Sequence, residues 1–176
     1  MTMTYAGEAA SDATSTTSGT TAAPTADPAE VQRRLNQFLC AEIAAEVVYR
    51  MTAERLADGA DAPYLGLLRQ FQEEHGLAAD SLRDQITQLG GEVADGEGSL
   101  GAWAPAAKCA GSLFGNPSDG GSALQHLRDA ELHVFEDYCA AVPSLDAGST
   151  QLLQNLLIPT QRRHVRIFNE LLGENE

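Results

Sequence analysis

The sequence predicts an all-α protein: two antiparallel helical hairpins joined by one long crossover. Three observations predict it. Apolar residues recur with the helical period in four long stretches, separated by short turns or by a Gly-rich segment. No stretch makes a convincing strand. Most informative, Glu42 and Glu131, Tyr49 and Tyr138, Gln72 and Gln161, and His75 and His164 all stand 89 positions apart. Apolar positions keep the same step: Leu35 with Leu124, Leu67 and Leu68 with Leu156 and Leu157, Leu82 with Leu171. A shared apolar frame implies two helical hairpins. A shared Glu, Gln, His and Tyr inside that frame gathers polar groups at a duplicated site.

Residues 1–26 are rich in Thr, Ala and Ser and read as a disordered tail, with too few apolar side chains to bury a core. The bundle is expected over residues 27–176. The first helix begins at Asp27-Pro28-Ala29-Glu30, where Asp27 caps, Pro28 suits the first helical position and Glu30 completes a capping box. It runs to about Leu56 with Val31, Leu35, Phe38, Glu42, Ala45 and Tyr49 inward. After a turn at Asp58–Asp61, with Asp61 as cap, the second helix carries Leu65, Leu68, Gln72, His75, Ala79, Leu82, Ile86 and Leu89 on one face, and Gly90-Gly91 stops it. The third helix spans about Ser122 to Val142, ended by Pro143, with Leu124, Leu127, Glu131, Val134 and Tyr138 inward. The fourth starts near Ser149 or Thr150 and ends at Gly173, with Leu153, Leu157, Gln161, His164, Phe168 and Leu171 inward. Pro159 lies two residues before Gln161, which predicts a kink or bulge.

Roughly thirty residues separate the second and third helices, more than a tight turn needs. Helices of about 28 residues are roughly 42 Å long, and such a linker can cross that length. The linker holds Trp103, Pro105 and Phe114, so it is expected to pack on the bundle, with a short helix near Gly101 to Leu113.

Composition narrows the function. The formal net charge is −14 with Lys108 the single lysine, a field that argues against nucleic acid and anionic membrane surfaces and suits attraction of cations. A solvated acidic surface, such as a salt-adapted organism uses, is the commoner explanation of such a charge. No stretch approaches the roughly 18 apolar residues of a membrane span. Cys40, Cys109 and Cys139 make an odd set without metal-binding spacing, read as reduced thiols of a cytoplasmic protein. Nucleophilic catalysis finds little support: Cys40 points away from the face of Glu42, and no Ser-His-Asp or G-x-S-x-G pattern occurs.

Glu42 and His75 are equidistant from the first turn, and Glu131 and His164 from the turn at Ala147-Gly148, so each pair should face itself across its hairpin. Gln72 with His75, and Gln161 with His164, share a helix face at a spacing of three. With these residues the chain resembles the ferritin-like superfamily over about residues 28–173. Its di-metal members place a Glu on helices A and C and Glu-x-x-His on helices B and D. The resemblance implies a ferritin-like four-helix bundle with Glu42, Gln72, His75, Glu131, Gln161 and His164 as metal ligands. It implies iron or another divalent first-row metal, a role in iron handling or oxidative-stress protection, and association into homo-oligomers. The segments LGGEVADGEGSLGAW (Leu89 to Trp103, then Lys108) and AELHVFEDY are similar to an uncharacterised bacterial ferritin-like family.

Gln72 and Gln161 stand where that pattern has bridging glutamates, and a neutral amide bridges two cations poorly. Two ferrous ions bring +4 against −2 from Glu42 and Glu131. One ion balances two carboxylates, so a single-ion or weak paired site is expected, with weak ferroxidase activity at most. Glu46, one turn beyond Glu42, is a further candidate carboxylate on one side only. Beside this stands a metal-free alternative: a non-catalytic bundle or assembly protein in which Glu, His, Gln and Tyr satisfy one another in a buried network. Tyr49 and Tyr138 read as core aromatics with bonded hydroxyls. Glu73-Glu74 reads as containing a solvated residue, with Arg162-Arg163 able to pair with these acids. His126 and His133 read as surface or edge residues.

Overall fold

A computed structural model describes residues 1–2, 26–57, 64–94, 101–112 and 120–174. The described chain is all-helical. Helix α1 is Pro28–Ala57, α2 Leu65–Gln88, α3 Ala104–Ser112, α4 Gly120–Ala141, α5 Ala147–Leu152 and α6 Ile158–Leu172; a π turn, Leu153–Leu157, joins α5 to α6. Single 3₁₀ turns at Gly101–Trp103 and Val142–Ser144 precede α3 and α5. Residues 3–25 of the expected tail, Asp61 and Phe114 lie outside the described residues.

Local chemistry sets the boundaries. Asp27 Oδ1 accepts the Ala29 N–H at 3.0 Å, while Glu30 pairs with Arg33 rather than reaching back to close a capping box. Gly90 (φ 70°) and Gly173 (φ 73°) end α2 and α6 in the left-handed conformation that glycine adopts without strain. The last long helical run starts earlier than expected, at Ala147, because Asp146 caps it by accepting from Gly148 and Ser149. The bulge expected at Pro159 is the π turn just before it, where the missing proline N–H leaves the preceding turn free to widen.

Antiparallel packing follows from which ends touch. Gln32 and Asn36, early in α1, donate to the Leu89 and Glu92 carbonyls beyond α2. Arg128, early in α4, reaches Asn169 and Glu174 at the end of α6. Tyr49 on α1 meets Glu131 on α4 while Tyr138 meets Glu42, so α1 and α4 also run oppositely. The end of α2 and the start of α4 are therefore at opposite ends of the stack. Between them in sequence, the Gly101–Trp103 turn and α3 pack on α1 and α4, burying Trp103.

The inward stripe expected for α1 is buried throughout. Leu89 and Leu171 depart from expectation and are exposed, each at a helix end beside the glycine that turns the chain away. Leu156 is exposed within the π turn. Among the described residues no helix is long and apolar enough to cross a membrane.

Candidate metal centre

Five of the six expected site residues meet in the middle of this stack: Glu42, His75, Glu131, Gln161 and His164, each 2% exposed or less. Glu131 is the hub. Its Oε1 accepts from the Tyr49 hydroxyl and lies 3.1 Å from His75 Nε2; its Oε2 accepts from Gln161 Nε2; His164 Nδ1 lies 3.3 Å from Oε1 and 3.4 Å from Oε2. Glu42 takes the reciprocal tyrosine, accepting from the Tyr138 hydroxyl, and its Oε2 is 2.6 Å from His75 Nδ1. The tyrosines are thus core aromatics with bonded hydroxyls, and each hydroxyl fixes a glutamate on the facing helix.

Gln72 does not join. It is half-buried and makes no hydrogen bond to any member of the cluster. The apolar neighbour takes the inward place: Phe71 is fully buried and stacks on His164 with ring centroids 3.9 Å apart. Burying an aromatic ring gains transfer free energy that an amide cannot match. On α6 the corresponding neighbour is the smaller Thr160, and there the glutamine is the residue buried. Gln161 uses its amide as a donor, to the Glu131 carboxylate and, at 3.2 Å, to the Glu131 carbonyl. Both partners are acceptors, so its nitrogen faces the site. Glu46 also stays apart, half-buried beside Gly76.

Glu74 is the member that sequence reasoning left outside. Its Oε2 is 2.6 Å from His164 Nε2 and also accepts from Arg163, and its Oε1 accepts from Gln70 at 2.9 Å. The expected pairing of an arginine beside His164 with an acid beside His75 is therefore realised, and that same acid is drawn onto the histidine. The available signal was the Glu-His dipeptide opposed by Arg-His at the same interval. Glu73 is exposed, as is His133.

Electrostatics follow from this packing. Burial alone would depress the His75 imidazolium, but the carboxylates of Glu131 and Glu42 on either side raise it to about 10. Burial would raise Glu131, and the facing His75 and His164 charges instead lower it to about 2. Burial, then the neighbouring glutamate charges, push both tyrosine hydroxyls well above their usual range, so they act as donors. Glu74, which partial burial would raise, is lowered by its bonds to Arg163 and His164.

His75, Glu131 and His164 each present a ligand atom, all within 4.8 Å of one another, and this is the convergent set among the described residues. Of the cysteine side chains described, neither Cys40, half-buried, nor Cys139, exposed, joins it. Trp103 closes one side, its ring 5.5 Å from His75 and 5.6 Å from Tyr49. Beyond it a groove of about 1120 Å³ runs between α1, the crossover and α4, floored by Phe38, Trp103 and Val134. No protein-family model and no curated protein matches this chain.

Proposed function

We propose that this chain is a ferritin-like bundle that binds a single divalent first-row metal ion at His75, Glu131 and His164, with iron the expected ion and iron handling or oxidative-stress protection the expected role. The observation behind this reading is the buried convergence of two imidazoles and one carboxylate. That donor set, with positions left open, is the one non-haem iron favours. Each imidazole also has an outer carboxylate on its far nitrogen, Glu42 behind His75 and Glu74 behind His164. Such partners fix ring orientation and raise ligand basicity. The reciprocal Tyr49–Glu131 and Tyr138–Glu42 contacts favour a duplicated pair of hairpins.

The residues fit one ion better than two. Gln72 is outside, Gln161 presents its N–H to Glu131, and so neither supplies a bridging oxygen. When bound, iron would supply one-electron redox chemistry; the chain's own residues hold Glu131 in place and exclude water. His75 gives up its proton on ligation, so binding strengthens as pH rises.

The metal-free network has its own support. Every carboxylate oxygen of Glu42 and Glu131 already has a partner, and a protonated His75 between them offsets one of their two charges from within. Elemental analysis, with titration by ferrous, manganous and zinc ions, separates the readings. About one tightly held ion per chain, abolished in the double variant His75→Ala, His164→Ala, is expected. No binding above that variant would leave the polar network as the function of these residues.

A further inference from the structure

We infer that Glu74 and Arg163 form the port through which a divalent cation reaches the buried site, an inference that rests on the metal-binding reading above. The groups that surround the convergent set are closed to solvent: Tyr49, Glu42, His75, Glu131, Tyr138, Gln161 and His164 are all 2% exposed or less. Among the described carboxylates and imidazoles of the network, Glu74 is the one that reaches water, its side chain 20% exposed, and one of its oxygens also touches His164. One carboxylate therefore spans the boundary, near enough to both sides to take an ion from solvent and present it inward.

Arg163 closes this port. Its guanidinium holds the same Glu74 oxygen that faces His164, and it is itself 37% exposed. A pair so placed, part-exposed at the surface, is weak and opens readily. Arriving cations compete for the carboxylate, and the chain's net charge of −14 concentrates them at the surface. The rival route is the groove beyond Trp103, where an ion would have to displace a fully buried indole.

Stopped-flow uptake of cobaltous ion by the full chain, read by the visible absorption of the coordinated ion, tests the port. Arg163→Gln frees the carboxylate without touching a ligand, and should raise uptake and release rates about threefold each with affinity unchanged. Glu74→Gln should slow uptake about tenfold and flatten its dependence on salt. If Glu74 only orients His164, its variant will instead speed release with uptake unaltered, and the port is overturned. Unchanged uptake in both variants, with faster uptake in Trp103→Ala, places entry at the groove and overturns it too. If the unaltered chain takes up no ion, the metal reading itself fails and the port with it; uptake that ignores Glu74 and Arg163 fails the port alone.

Discussion

His75 and His164 occupy equivalent sequence positions and end in different surroundings. His75 lies between two fully buried glutamates and serves as the counter-charge of both. His164 shares Glu131 but turns its other nitrogen to Glu74 at the edge of the protein, and stacks on Phe71. One half of the site is a sealed ionic core and the other an imidazole whose outer carboxylate, Glu74, reaches solvent. Identical residues do not make identical half-sites; the neighbours one position away decide.

The comparison is broken most severely by removing its hub. Glu131→Ala strands the Tyr49, Gln161 and His75 donors in a dry interior, so a loss of about 3–5 kcal/mol is expected in denaturant unfolding of the metal-free protein. A loss below about 1 kcal/mol would mean that Glu131 is not the hub. His75→Ala should cost more than His164→Ala, about 3 against about 1–2 kcal/mol, because only His75 lies against both buried carboxylates, Glu42 and Glu131. Equal losses would erase the distinction between the halves.

Stability against pH sharpens the same point. His75 is raised from 6.5 to about 10, so its contribution is complete below about pH 6.5 and is lost as pH climbs through 10. Glu131 is lowered from 4.5 to about 2, so its contribution is complete above about pH 4.5 and is lost as pH falls through 2. Thermal unfolding of the metal-free chain should therefore show a plateau between, with the alkaline loss removed in His75→Gln. A retained alkaline loss in that variant would assign it to another group.

The two glutamines should answer differently. Gln161→Glu places a second carboxylate against Glu131; it should destabilise the metal-free protein by about 1–3 kcal/mol and increase uptake of a second ion. Gln72→Glu lies outside the network and should change stability by less than about 0.5 kcal/mol. Parallel effects at the two positions would show that the halves are more alike than their packing indicates.

Much of this was legible in the sequence. Apolar periodicity and the glycine stops defined the long helices; the equal spacing of Glu42, His75, Glu131 and His164 about their turns put them at one level. These are local properties, because helical phase and turn position follow from a few neighbouring residues. The bulge at Pro159 was legible for the same reason, a missing donor acting on its own turn. Tertiary structure decided what depends on competition for space. Phe71 and Gln72 both lie on the turn before His75, and only packing against His164 determines which is buried. Glu74 joins the site because Arg163 and His164, a hairpin away, draw its carboxylate inward. No periodicity encodes that choice, since the burial of each side chain depends on what the facing helix presents.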